Sequence, residues 1–166
     1  VALDRREFLG RCAAALGAAL TGAIAVPLGG LAIGPALGRN APPEIPVGRV
    51  DSFVPNVPRL VSFGLTREDG YLRSTTARAV WVVRAADELV VYNARCTHLG
   101  CLITAEPGAA TFLCPCHGGV FAIADGRVED GPPPRPLDRL ATRVVDEQLL
   151  VRYQDFLAGT PDRVPL

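Results

Sequence analysis

Two short boxes hold the residues of this chain that could do chemistry: Cys96-Thr97-His98-Leu99-Gly100-Cys101 and Cys114-Pro115-Cys116-His117-Gly118-Gly119. Together they contain four of the five cysteines and both histidines. Each box sets a Cys and a His a few residues apart, a spacing at which one tight loop can offer both to a metal. Each also carries a further Cys. Thiolate and imidazole ligands suit zinc or an iron–sulfur cluster and exclude calcium or magnesium sites, which take oxygen ligands. Two arrangements remain open. Two Cys and two His can close a tetrahedral zinc site, leaving two cysteines over. The same residue types can hold a 2Fe–2S cluster, with two Cys on one iron and two His on the other.

The sequences C-T-H-L-G-C and C-P-C-H-G resemble the two cluster-binding boxes of the Rieske iron–sulfur subunits of bacterial quinol–cytochrome c reductases, the cytochrome bc complexes. The resemblance implies that Cys96 and Cys114 ligate one iron and His98 and His117 the other, the cofactor being a Rieske-type 2Fe–2S cluster. It also implies a disulfide between Cys101 and Cys116 that ties the two loops together. The segment Gly131-Pro132-Pro133-Pro134-Arg135-Pro136-Leu137 resembles the family's proline loop, which packs over the cluster. The likeness is strong over about residues 88–140 and looser at the N-terminus. Soluble Rieske ferredoxins and ring-hydroxylating oxygenases lack the two extra cysteines and the anchor. The small subunit of arsenite oxidase is a nearer alternative, with a twin-arginine signal and a related cluster, but its boxes depart from C-T-H-L-G-C. A zinc-binding module without redox activity is the third reading.

Two departures from the family bear on redox potential. High-potential members have Ser where this chain has Gly119 and Tyr where it has Phe121, and both hydroxyls donate to cluster or ligand sulfur. Neither residue here has a side-chain donor. Hydrogen bonds to sulfur stabilise the reduced state, so the expectation is a low-potential centre matched to menaquinol rather than ubiquinol.

The activity implied by the resemblance is that of an electron-transfer subunit in an oxidoreductase complex, inactive alone. A quinol in the pocket of a cytochrome b subunit hydrogen-bonds to one histidine, His117 by analogy with relatives, with His98 as the second proton-active ligand. One electron enters the cluster, one proton leaves through the imidazole, and the electron passes to a c-type haem. The complex is expected to be dimeric. Leu99 is expected to shield the cluster and pack at the docking tip.

The elements that must position these boxes follow from the rest of the chain. At 166 residues there is room for one domain and an appendage. Formal net charge is zero, all 17 basic residues are Arg, and no basic stripe interleaved with aromatics appears, which excludes a nucleic-acid-binding reading. Asp4-Arg5-Arg6-Glu7-Phe8-Leu9 resembles a twin-arginine export signal with Asp in place of the usual Ser. Cys12 to Gly38 contains no charge and exceeds the roughly 20 residues that span a bilayer. Residues 1–37 therefore read as a signal and uncleaved transmembrane anchor, the best helix being Glu7 to Val26 with a looser continuation past Pro27. Arg5, Arg6 and Arg11 precede the span and only Arg39 follows it. That bias puts the N-terminus in the cytoplasm and the head on the periplasmic or outer side of the cell membrane.

Residues 38–48, with Pro42, Pro43 and Pro46, read as a semi-extended hinge linker. Residues 49–166 read as mainly β, a Rieske-type antiparallel sandwich with a cluster-binding subdomain of about residues 92–138 inserted into it. Predicted strands are Arg49–Val54, Arg59–Gly64, Arg78–Arg84, Glu88–Asn93, Thr111–Cys114, Val120–Ile123, Leu140–Val145 and Leu149–Tyr153. The run Val80-Trp81-Val82-Val83 is apolar on both faces, so its strand is expected to be central.

Overall fold

The computed structural model describes residues 4–37, 42–69, 72–85 and 88–166, with backbone alone at 35–37. The chain divides into two units, Val1–Ala41 and Pro42–Leu166.

The first unit is one helix, α1 (Arg5–Leu37). The Phe8 N–H donates to the Asp4 carbonyl at 2.9 Å, so an aspartate, a favoured capping residue, stands at the helix start. At 1.5 Å per residue its 33 residues reach roughly 50 Å, more than a hydrocarbon core of about 30 Å requires. Leu9, Leu16, Leu20, Val26, Leu28 and Leu31 are all exposed, and Arg5–Gly34 is long and apolar enough to cross a membrane once. The helix does not loosen at Pro27, as the sequence led us to expect, but continues through it. A proline removes one donor, and breaking an apolar helix would leave many more backbone groups unpaired.

The second unit contains β1 (Glu44–Arg49), a 3-10 turn (Val50–Ser52), β2 (Arg59–Asp69), β3 (Leu72–Ala85), β4 (Glu88–Asn93), β5 (Thr111–Cys114), β6 (Gly119–Ala122), β7 (Val128–Asp130), β8 (Ala141–Val145) and β9 (Gln148–Arg152). They form three antiparallel sheets of order β1-β9-β8, β2-β3-β4 and β5-β6-β7. Strand β3 lies between β2 and β4, and its alternation divides it between two cores. Val80 and Val82 join Val47, Leu65, Val91, Leu149 and Val151 between the first two sheets. Trp81 and Val83 join Val90, Tyr92, Ile103, Phe112 and Phe121 against the third. The Trp81 indole N–H donates to the Ile103 carbonyl at 3.1 Å, so burying the ring leaves no orphaned donor.

The third sheet belongs to a segment that leaves and re-enters the sandwich at one place. The Asn93 N–H donates to the Asp138 carbonyl at 2.9 Å and the Leu140 N–H to the Val91 carbonyl at 2.8 Å. These bonds close a neck beneath everything that carries the two boxes.

The strand predicted at Arg49–Val54 is displaced. The real strand is β1, inside the stretch read as linker, and Val50–Ser52 is a 3-10 turn. Ile45 and Val47 have an apolar partner in β9, and Pro46 is tolerated because β1 is an edge strand with a bulge between Pro46 and Gly48. Strands β2 and β3 also extend beyond prediction into a longer hairpin in continuous register from Arg59↔Val82 to Asp69↔Leu72. Strand β7 was not expected: it has three residues and a bulged pairing with β6, too short to show alternation.

Candidate metal centre

The two boxes fold as matching turns. In the first, the Gly100 N–H donates to the Cys96 carbonyl at 2.9 Å; in the second, the Gly118 N–H donates to the Cys114 carbonyl at 3.1 Å. Both glycines have positive φ, +77° and +69°, a conformation costly for any residue with a Cβ. The Cys96 N–H and Cys101 carbonyl close the first loop at 2.8 Å, and the β5–β6 pairing Cys114↔Gly119 closes the second. Reciprocal 2.8 Å bonds between Thr104 and Leu113 join the arms below them.

The turns bring the chemical groups together. Cys96 and Cys114 are buried free thiols, while Cys101 and Cys116 are joined as a disulfide across the two loops. The sulfurs of Cys101, Cys114 and Cys116 lie within 4.8 Å of one another, so the bridge sits against the Cys114 thiol. The rings of His98 and His117 stand edge-to-face with centroids 4.9 Å apart. His117 is exposed and His98 half-buried. Leu99, at the tip of the first loop, is 62% exposed, as are Leu102 and Leu113 in large part, giving the tip an apolar rim.

The donor set fits a 2Fe–2S cluster. Nδ1 of His98 is the one buried side-chain nitrogen or oxygen among the described residues that has no hydrogen-bond partner. Such an orphan is costly, and coordination would satisfy it. Burial, reinforced by the adjacent Cys114 thiol, pushes the Cys96 thiol up to about 11, against the pull of the His98 and Leu99 backbone N–H groups. Two inward thiols and two imidazoles in facing loops could hold one iron by sulfur and one by nitrogen.

The segment 131–137 packs over the second loop. Gly131 has φ +87°, and a Cβ there would meet the Gly118 carbonyl oxygen at 2.7 Å and the Gly119 Cα at 2.8 Å. The contact is backbone on backbone. Pro133, buried, lies against Gly119, and Phe121 is buried in the core beside Phe112 and Tyr92.

Sequence reasoning named all six Cys and His residues above but missed the groups that support them. Thr97 is buried, and its hydroxyl donates to the Arg135 carbonyl at 2.7 Å. The Arg135 guanidinium is buried against Asp138, with Nη2 to Oδ2 at 2.9 Å. Asp155, buried beyond the last strand, accepts from the Tyr153 hydroxyl at 2.8 Å and from Arg78 Nε at 3.0 Å. No spacing rule would have linked these residues. The only available signal was a charged pair, Arg135 and Asp138, within an otherwise proline-rich apolar segment.

Comparison with known proteins identifies the family. Over 67 residues the chain is 49% identical to the cytochrome b6-f complex iron-sulfur subunit of Gloeobacter violaceus, covering 39% of this chain and 36% of that one. It is 28% identical to the menaquinol:cytochrome c reductase iron-sulfur subunit of Bacillus subtilis (strain 168), covering 87% of this chain and 88% of that one. It is 30% identical to the cytochrome b6-f complex iron-sulfur subunit of Chlorobaculum tepidum, covering 91% and 76%. Residues 57–149 match the family described as Rieske [2Fe-2S] domain, which decides between zinc and iron–sulfur in favour of the cluster. The chain belongs to the Rieske [2Fe–2S] family.

Proposed function

We propose that this chain is the Rieske iron–sulfur subunit of a membrane quinol–cytochrome c oxidoreductase of the cytochrome bc type, taking electrons from menaquinol and passing them to a c-type haem. The observation that carries this reading is the pair of histidines at an exposed, apolar-rimmed tip, with His98 Nδ1 turned inward and His117 open to solvent. The likeness to iron–sulfur subunits of such complexes over 87–91% of the chain supports the assembly. When bound, the 2Fe–2S cluster supplies a one-electron acceptor.

The residues divide the work. Cys96 and Cys114 hold one iron and His98 and His117 the other. His117, being exposed, accepts the quinol hydroxyl as a hydrogen-bond donor and takes up its proton at the ring nitrogen not bound to metal. Imidazole is suited to this because its proton affinity lies near working pH and responds to neighbouring charge. Leu99 and the segment 131–137 keep water from the ligand thiols of Cys96 and Cys114, and the disulfide holds the two loops at a fixed separation.

Menaquinol is favoured over ubiquinol because neither Gly119 nor Phe121 can donate to sulfur. The N-terminus lies in the cytoplasm and the head outside, the twin-arginine segment directing export. The link between anchor and head is the stretch 38–43, of which 38–41 lie outside the described residues, since 44–48 belong to β1. The partners are a cytochrome b subunit and a c-type cytochrome in a dimeric complex.

A redox titration of the purified protein, followed by EPR over a range of pH, tests the proposal. A rhombic signal with a low midpoint that falls further in alkaline solution is expected. A midpoint in the ubiquinol-enzyme range would overturn the menaquinol assignment, and a pH-independent midpoint would overturn the proton-accepting role of the histidines.

A further inference from the structure

We propose that the guanidinium of Arg95, laid along the first ligand turn, raises the reduction potential of the centre by its charge. Arg95 directly precedes Cys96 and lies outside both ligand boxes.

The place of this side chain is well defined. A Cβ built on Gly100, whose N–H closes the first turn onto the Cys96 carbonyl, would stand 2.7 Å from Arg95 Nη2, 3.3 Å from Nε and 3.4 Å from Cζ. The guanidinium therefore rests on the bare α-carbon of the turn that carries Cys96 and His98. At the root of the side chain, the Arg95 N–H donates to Asn93 Oδ1 at 3.2 Å. At its tip, Nη1 stands 3.9 Å from Asp155 Oδ1. Between Cys96 and Gly119 the only charged residue is Glu106, exposed in the loop ahead of β5. The charge that lies against the first turn thus comes from outside the boxes.

A purely structural role does not account for this arginine. The second turn has the same closure, from the Gly118 N–H to the Cys114 carbonyl, and the same left-handed glycine, but Leu113 takes the place of Arg95. A Cβ on Gly118 would meet nothing within 4 Å. Such a turn therefore closes without a guanidinium against it. Nor does Asp155 depend on Arg95. Its buried carboxylate already accepts from Arg78 Nε at 3.0 Å and from the Tyr153 hydroxyl at 2.8 Å, and Arg95 stands farther off. Arg78 and Asp155 offset one another, which leaves the group of three with one net positive charge, that of Arg95.

Reduction adds an electron to the centre, and a cation beside it favours the more negative state; charge is one of the levers on such a potential. An arginine stays charged at every working pH, so no proton is involved. The side chain is 47% exposed, so salt screens its field. The inference rests on Cys96 and His98 being cluster ligands, which iron and sulfide analysis of the parent protein tests separately; a parent without cluster would sink that reading and this inference with it. The experiment compares the full-length, cluster-loaded parent with Arg95→Gln, Arg95→Leu and Arg95→Lys by EPR-monitored redox titration, counting only the loaded fraction. Arg95→Leu copies the residue before Cys114 and is a second neutral variant in case Gln fails to load. In low salt the neutral variants are expected to show a reduced-to-oxidised ratio at fixed ambient potential about two- to tenfold below parent, the range of a single partly screened charge. Arg95→Lys is expected to stay nearer the parent than either. At about 1 M salt, where the screening length is about 3 Å, the difference is expected to shrink. Parental midpoints in the neutral variants at low salt would overturn the proposal. So would a shift that persists unchanged at high salt with an altered EPR spectrum, the mark of a distorted turn. Loss of the cluster from both neutral variants would make Arg95 a structural residue and overturn it as well.

Discussion

Pro133 presses on Gly119 so closely that a Cβ built on the glycine would stand 2.7 Å from the proline Cγ. The missing side chain at 119 is thus a packing requirement of this chain as well as a missing donor. Gly119→Ser is expected to displace the segment 131–137 and destabilise the loaded protein by about 1–3 kcal/mol, as overpacking does. Denaturant unfolding with cluster absorbance as the probe checks this, and parental stability in the serine variant would contradict it.

Phe121 offers the complementary test, because tyrosine there keeps the ring and adds only a hydroxyl. Phe121 is fully buried in the core beneath the second loop. A hydroxyl that reaches ligand sulfur is expected to raise the midpoint; one left without a partner costs about 1–3 kcal/mol and leaves the potential alone. The menaquinol reading expects the first outcome. Redox titration and unfolding on the same sample separate the two.

The Cys101–Cys116 bridge spans 15 residues of sequence. Closing a loop of that size stabilises by about 3 kcal/mol on the chain-entropy model, and here the loop contains Cys114 and the whole of β5. A Cys101→Ser, Cys116→Ser double variant is expected to lose cluster absorbance faster than parent on mild heating while far-ultraviolet circular dichroism still reports β structure. Equal cluster lifetimes would show that the segment 131–137 alone holds the second loop.

Much of the site was legible because its chemistry is local. The six Cys and His residues fall in two hexapeptides, and the central strand announced itself through Val80, Trp81, Val82 and Val83. What was not legible depends on partners distant in sequence. Strand β1 exists because β9 pairs with it about a hundred residues later, overriding the proline at 46 that made the segment look like linker. Thr97 looked like a spacer, and only the fold reveals that Arg135 and Gly159 hold it. Helix α1 passed through Pro27 because an apolar segment long enough to cross a membrane has no better alternative than to remain helical.

Asp155 ties part of the stability to pH. Burial works to raise its pKa, yet the Tyr153 hydroxyl, Arg78 and Arg95 together bring it below the usual carboxylate value. A depressed folded pKa means the contribution is fully present above the unfolded value of about 4 and is lost as pH falls through the lower folded one. Asp155→Asn is therefore expected to cost about 1.5–3 kcal/mol near neutrality, with the gap from parent closing in acid below about pH 4. Urea unfolding between neutral pH and pH 3 measures it, and a gap that stayed constant would mean the carboxylate charge contributes nothing.

Gly131 and Gly108 have nearly the same backbone, φ +87° and +80°, in different surroundings. A Cβ at Gly108 meets nothing within 4 Å, whereas one at Gly131 meets the Gly118 oxygen and the Gly119 Cα, backbone atoms that cannot swing aside. Gly108→Ala pays only the conformational cost of a left-handed alanine, about 1 kcal/mol. Gly131→Ala adds the clash, so the segment must lift from the second ligand loop and admit water beside the buried Cys114. The expected result is a modest fall in stability for Gly108→Ala with an unchanged cluster lifetime in air. For Gly131→Ala the lifetime is expected to shorten at least several-fold. Since the two variants share the conformational cost, any difference in lifetime reports the close approach itself. Equal lifetimes would show that the proline-rich segment does not seal the second loop.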